Sequence, residues 1–342
     1  MSYPNLTPYG WNERWQALLA DHPGCLPGRV IRHHGISLEV ASPDGIVTAV
    51  LALRLDPAPT VGDWVALDAD RHPVAVLART SLLRRRSALT DSDQAMAANV
   101  DLVLLVCGLD RPVKTGRIQR GATLAWDAGA TPVVVLTKAV RATGVDEVAE
   151  RVAAANPGVE VLITSAKEGV GLDALRTLAD GQTVTMLGES GAGKSSLMNA
   201  LVGEDVAVIG RVRDGDSKGR HTTTTRELRV LPSGGVLIDT PGIRAVGLSA
   251  DPEAVAMTFA DIDELAPDCR FADCRHDTEP GCAVLAAVAA GDLAQARLDA
   301  WRALDHEAAA AALRDVPHEK RKHDKQFARV TKDAQRRKAK PE

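Results

Sequence analysis

Residues 27–80 hold five short apolar runs, RVIRHH, ISLEVA, IVTAVLAL, DWVALDA and PVAVLAR, each closed off by Gly, Pro or Asp. Runs of this length, punctuated in this way, predict β-strands. Five of them in so short a span fit a small OB-type barrel, an architecture that commonly binds oligonucleotides. A barrel with a purely structural role fits the strands equally well. Arg84, Arg85 and Arg86 follow at once and favour a phosphate backbone as partner, although a triple-Arg run also occurs on ordinary solvated faces. From about residue 100 to 247 the pattern changes. Apolar runs such as PVVVL, VLI, TVTML and GVLID alternate with helical-period segments such as DEVAERVAAA and GLDALRTL. That alternation predicts an α/β domain around a parallel sheet. The stretch VLAAVAAGDLAQARLDAWRAL near the C-terminus predicts helices, with Trp301 and its leucines spaced for core packing.

Composition narrows the classes. The chain has 342 residues, 45% of them hydrophobic and only 3% aromatic, which suits two or three domains with aliphatic cores. No apolar run approaches the roughly 20 residues that span a bilayer, which argues against a helical membrane protein. With no secretory pattern at the start, a cytoplasmic location is expected. Charge is uneven. From His318 to Glu342 there are ten Lys or Arg against four Asp or Glu, a net of +6, while the whole chain is −4. A basic arm of this kind is expected to bind RNA phosphates, or else to be a solvated helix end.

The candidate chemistry lies in the loops that follow the apolar runs. GESGAGKS, residues 188–195, matches the phosphate-loop pattern and follows TVTML. Its glycines Gly188, Gly191 and Gly193 allow a tight turn that points backbone N–H groups at phosphates, with Glu189, Ser190 and Ala192 between them. Lys194 is expected to neutralise the β- and γ-phosphates and Ser195 to offer its hydroxyl to Mg²⁺, with Ser196 also among the nucleotide-binding residues. Asp239, ending GVLID, is expected to hold that magnesium through water, and the Gly242 N–H to sense the γ-phosphate. Two further loops have the form of guanine-reading loops: Thr137-Lys138 after PVVVL, and Ser165-Ala166-Lys167 after VLI. In ordinary small GTPases these come last. Here they come first, so the chain reads as a circularly permuted GTPase. The segment from Gly203 to Glu227 is long and rich in Gly, Arg and Thr, as a switch would be. Thr223 or Thr224 is expected to reach the magnesium in the GTP state.

Cys269, Cys274, His276 and Cys282 form C-x₄-C-x-H-x₅-C. Three thiolates and one imidazole so close together suit one structural, tetrahedral Zn²⁺ with no position open for water. The competing reading is a disulfide pair with an incidental histidine, which the isolated Cys25 and Cys107 do not support.

Permuted GTPase motifs followed by this cysteine–histidine cluster resemble the small-ribosomal-subunit-dependent GTPases, bacterial ribosome assembly factors. The resemblance extends to PTVGDWVAL at 59–67, LLRRR at 82–86, AANVDLVLLV at 97–106, KGRHTTT at 218–224 and the basic C-terminus. It implies a ribosome-stimulated hydrolysis of GTP to GDP and phosphate, acting in late maturation of the 30S subunit through contact with 16S rRNA. It also implies four segments: an extension at 1–26, an OB-type barrel at 27–85, a permuted GTPase domain at 86–248, and a zinc-binding helical domain with a basic tail at 249–342. A monomer is expected.

Two departures stand out. Ile243 follows Gly242 where Ras-like enzymes place the glutamine that orients water, so His221, in the switch segment, is the candidate for that task beside Lys194. The base-reading loop ends in Val140 where the family has an aspartate, and valine accepts no hydrogen bond. Asp146 lies out of register to replace it, whereas the Ala166 N–H can still donate to guanine O6. Weakened guanine preference is the expectation. The rival readings are therefore a nucleotide hydrolase of relaxed base specificity and a non-hydrolysing RNA-binding scaffold. A lesser departure, Arg120-Gly121-Ala122 where the family usually has Arg-Tyr-Leu, is expected to alter packing only.

Overall fold

The computed structural model describes residues 3–51, 54–86, 93–204, 226–240 and 252–315. The predicted switch residues His221, Thr223 and Thr224, the pair Gly242 and Ile243, and the basic tail from His318 lie outside them. Contacts divide the chain into two units, residues 1–247 and 248–342.

In the first unit, α1 (Glu13–Leu19) starts where the Asn12 side chain accepts from the Arg14 and Trp15 amides at 3.1 and 3.3 Å. That cap satisfies two N–H groups the helix cannot satisfy itself. The five predicted strands follow as β1 (Leu26–His33), β2 (Ser37–Ser42), β3 (Gly45–Val50), β4 (Trp64–Leu67) and β5 (Pro73–Val76). All pairings among them are antiparallel and give the order β5-β4-β1-β2-β3. Val30, Leu38, Val40, Ala49, Val65 and Leu67 bury together on one face. Gly28 is needed at the centre of this ladder: a Cβ there would stand 2.4 Å from Val40 Cγ1. Among the described residues no ladder joins β3 to β5.

Strands β6 (Leu82–Arg86) and β7 (Asp93–Ala98) pair with each other as a separate antiparallel two-stranded sheet. Then come β8 (Leu102–Gly108), α2 (Thr115–Asp127), β9 (Thr131–Thr137), α3 (Val145–Ala154), β10 (Glu160–Ile163), α4 (Leu172–Ala179), β11 (Thr183–Leu187), α5 (Lys194–Val202), β12 (Glu227–Val230) and β13 (Val236–Asp239). They form a sheet of order β10-β9-β8-β11-β13-β12, parallel except for β12. Helices cover both faces, which is why these strands read as continuous apolar runs. On β8, Leu102, Leu104 and Val106 pack with Leu175 of α4 and Leu197 of α5, while Val103 and Leu105 pack with Ile118 of α2 and Val152 of α3. Adjacent strands β8 and β11 are thus followed by helices on opposite faces. Their carboxyl ends form the topological switch point where such sheets bind ligands.

The ladder and this sheet are one continuous structure. β1 pairs with β12 at Arg32↔Glu227, and the two side chains form an ion pair. Beneath the join lies Arg29, almost wholly buried. It donates to Thr183 Oγ1 at 2.8 Å and to the Tyr9 carbonyl, and its guanidinium lies 5.3 Å from the centre of the Trp64 ring. Burial lowers its pKa to about 10, opposed by the charges of Asp101 and Asp63. Trp11 and Trp15 pack on Trp64, with ring centres 5.0 and 5.9 Å away, and so tie the N-terminal segment to the same core.

The second unit contains α6 (Pro252–Thr258), α7 (Ala260–Leu265), α8 (Ala283–Ala290) and α9 (Gln295–Asp315). Arg297 of α9 holds it together. Its guanidinium lies 4.7 Å from the centre of the buried Phe259 ring and donates to Asp261 Oδ1 at 2.6 Å and to the Thr258 carbonyl at 3.0 Å.

Candidate nucleotide and metal sites

β11 ends at Leu187 and α5 begins at Lys194, so residues 188–193 make the turn at the switch point. Glycine is required at its two ends. A Cβ on Gly188 would stand 2.4 Å from the Val106 carbonyl oxygen, and one on Gly193, whose φ is +101°, would stand 3.0 Å from Thr137 Oγ1. Lys194 Nζ donates to the carbonyls of Gly188 at 2.6 Å and Glu189 at 2.7 Å. Its ammonium therefore curls back over the loop at the positive end of α5, where two sources of positive potential add. Ser195 and Ser196 follow, half-buried, in the first turn.

Asp239 ends β13, which pairs with β11 in parallel. Burial raises its carboxyl pKa, against the pull of the Arg229 and Lys194 cations. The neighbouring Thr240 hydroxyl lies 3.0 Å from that of Thr185, which in turn donates to the Ile238 carbonyl at 2.9 Å.

The two predicted base-reading loops meet here. The Ala139 N–H donates to the Thr164 carbonyl at 3.2 Å, and the Thr164 N–H donates to the Leu136 carbonyl at 2.7 Å. Ser165 is buried and bonded to the Glu168 carboxylate, Ala166 is half-buried and Lys167 is exposed. Thr137 Oγ1 donates to the Ala192 carbonyl at 2.5 Å, and Lys138 Nζ donates to the Gly191 carbonyl at 2.6 Å. Thus Thr137, Lys138 and the whole turn from Gly188 to Lys194 converge. Val140 is 59% exposed, and its side chain offers no acceptor.

Sequence reasoning missed Asp110. Its Oδ2 accepts from Lys138 Nζ at 2.7 Å, and that cation holds its carboxyl below the usual range. The only sequence signal was an acidic residue just beyond the β8 run. Gly108 leaves room for it, since a Cβ there would stand 2.6 Å from Asp110 Oδ1.

In the second unit the ligand atoms of Cys269, Cys274, His276 and Cys282 all lie within 4.8 Å of one another. Cys269 Sγ and Cys282 Sγ are 3.8 Å apart, and His276 Nδ1 is 3.5 and 3.4 Å from them. A disulfide needs about 2.0 Å between sulfurs. The edge of a tetrahedron with Zn–S bonds of about 2.3 Å is close to the observed spacing instead. Burial lowers the His276 pKa, which favours the neutral ring that a metal needs. Two α9 residues hold this histidine: Arg302 donates to its carbonyl, and the Trp301 ring centre lies 5.2 Å from its own. Trp301, read from sequence as core packing, thus also packs against a residue of the candidate metal cluster. The Leu285 N–H donates to Cys282 Sγ at 3.4 Å at the start of α8.

Residues 76–249 match the RsgA GTPase family. The small ribosomal subunit biogenesis GTPase of Streptomyces avermitilis is 46% identical over 319 residues, covering 90% of this chain and 86% of the relative. The chain belongs to the RsgA GTPase family. A second such GTPase, from Vibrio parahaemolyticus, is 40% identical and covers 96% of this chain and 92% of its own. Among solved structures, YjeQ of Thermotoga maritima superposes with a TM-score of 0.63 at 27% identity, covering 83% of this chain and 98% of that one. YloQ, described as a circularly permuted GTPase, gives 0.62 at 24% identity, over 84% and 96%. The permuted α/β fold and the GTP-hydrolysing activity of the RsgA family thus agree with the loop order read from the sequence. They leave the scaffold reading without support.

Proposed function

We propose that this chain binds the immature small ribosomal subunit in its GTP state and leaves after hydrolysis, as a cytoplasmic, monomeric checkpoint of late assembly. Its relatives' names support the partner. The convergence of Thr137, Lys138 and Lys194 on one turn supports the nucleotide site, and it is the observation that carries this reading.

The roles follow from the chemistry. Gly188–Ser196 cradle the phosphates, and Lys194 stabilises the charge that develops on them during transfer. Ser195 and Asp239 hold Mg²⁺, with Thr223 or Thr224 joining in the GTP state and the Gly242 N–H reporting the γ-phosphate. Thr137, Lys138, Ser165, Ala166 and Lys167 frame the base, and His221 orients the attacking water. Cys269, Cys274, His276 and Cys282 hold a structural Zn²⁺. Residues 27–85 act as the OB-type RNA-binding part after the extension at 1–26, residues 86–248 act as the GTPase, and 249–342 supply further contacts to 16S rRNA.

Co-sedimentation with purified small subunits tests the cycle. The chain should pellet with them when loaded with a non-hydrolysable GTP analogue and stay in the supernatant with GDP. Equal pelleting in both states would contradict it. Replacement of His221 by Ala should abolish subunit-stimulated turnover; full retained stimulation would remove His221 from the mechanism.

A further inference from the structure

A cavity of about 390 Å³ opens beside the phosphate turn, between the end of β8, the first half of α2 and the exit from β11. Leu105, Val113, Ile118, Leu124 and Leu187 give it an aliphatic floor. Four cations stand in its lining: Arg111, Lys114, Arg117 and Arg120. Glu189 is the one acid there, and it is ion-paired with Arg117. Gly188, Glu189, Ser190 and Ala192 of the phosphate turn form one of its walls, whereas Lys194, Ser195, Asp239, Thr137 and Lys138 do not line it, so it adjoins the cluster assigned to nucleotide and magnesium from the α2 side. Gly121 forms part of the wall, where a Cβ would stand 2.7 Å from Leu105 Cδ2. Any larger side chain there must displace Leu105 or enter the cavity.

We propose that this cavity binds a small amphipathic anion and that its occupancy is coupled to nucleotide binding. An aryl or alkyl body rests on the aliphatic floor, and a sulfonate, phosphate or carboxylate meets the cationic rim. Apolar burial supplies the affinity, and the excess of four cations over one acid in the lining supplies the selectivity for anions. The coupling has a short physical route. Arg117 pairs with the Glu189 side chain, while the Glu189 carbonyl accepts from Lys194 Nζ. Arg111 reaches the Ser190 carbonyl at 3.4 Å. An anion that competes for Arg117 therefore acts on the same residue whose backbone holds the phosphate-binding lysine. Linkage makes the effect reciprocal.

The test titrates anilinonaphthalene sulfonate, a fluorescent amphipathic anion, into the full-length protein with saturating GDP. One saturable site is expected. Gly121→Leu, which fills the wall, and Lys114→Glu, which reverses a rim charge on an exposed residue, should each weaken it about tenfold if cavity and rim both contribute. Saturating probe should shift the GDP dissociation constant about fivefold in the native protein, an ordinary size for coupling, and in both variants about ten times more probe should be needed to reach that shift. Equal probe binding by native and variant proteins would overturn the proposal. So would complete competitive displacement of the probe by GDP, or an unchanged GDP affinity with the probe bound.

Discussion

Thr137 Oγ1 donates to the Ala192 carbonyl at 2.5 Å, so the loop expected to read the base is fastened to the turn expected to hold the phosphates. Thr137 is buried, and Gly193 beside it has no space for a side chain. Removing the hydroxyl while keeping the shape isolates this one bond. Thr137→Val should lose about 1 kcal/mol, which weakens GDP binding about fivefold. Calorimetric titration with GDP measures it, and an unchanged affinity would show that the two loops are held together by packing alone.

Val140 stands where the sequence pattern leads one to expect a guanine-reading carboxylate, and it is exposed, so a charged side chain can be put there without burying it. Val140→Asp should restore acceptors for the guanine edge. Preference for GDP over ADP should rise by about 1–3 kcal/mol, or roughly fivefold to 150-fold. Competition of the two nucleotides against one fluorescent GDP derivative reads this directly. No gain in preference would mean that guanine is read elsewhere.

Burial raises the Asp239 pKa, so the folded chain holds that proton to a higher pH than the unfolded chain does. Ionising Asp239 therefore costs folding stability as pH rises through this range, whereas magnesium needs the ionised form. Magnesium-dependent GTP binding should strengthen as pH climbs from the ordinary carboxylate range through the raised Asp239 pKa. Asp239→Asn should flatten that rise. A variant retaining the full pH dependence would locate the titrating group at another residue.

Arg302 and Trp301 orient His276 from outside the predicted zinc set. Replacing such a supporting residue typically lowers metal affinity about tenfold to hundredfold. Trp301→Leu should therefore release zinc to a chelator at lower concentration, with about one zinc per chain bound at the start. Elemental analysis after dialysis against graded chelator provides the readout. A variant as retentive as the native protein would leave the indole with core packing only.

The sequence made the loops legible because each carries its chemistry within a few residues: the glycines of 188–193, the Lys138 and Lys167 loops, and the spacing from Cys269 to Cys282. The parallel sheet was legible for a similar reason, since strands buried on both faces show as unbroken apolar runs. What stayed hidden depends on register between distant segments. Asp110 meets Lys138 only because β8 and β9 run parallel with Gly108 opposite Thr137. Arg32 and Glu227 join the N-terminal ladder to the GTPase sheet across nearly the whole unit, and no local pattern marks either residue. Arg29 looked like an ordinary strand residue, yet it is buried between Trp64 and Thr183. The predicted strands of 27–80 all formed, whereas ring closure is a matter of long-range pairing that periodicity does not encode.

The most direct measurement is GTP and ATP turnover by the purified chain, with and without small ribosomal subunits, at low and moderate salt. The account predicts slow intrinsic GTP hydrolysis, strong stimulation by subunits, and stimulation that falls as salt weakens the RNA contacts. Turnover unaffected by subunits at any salt would contradict it.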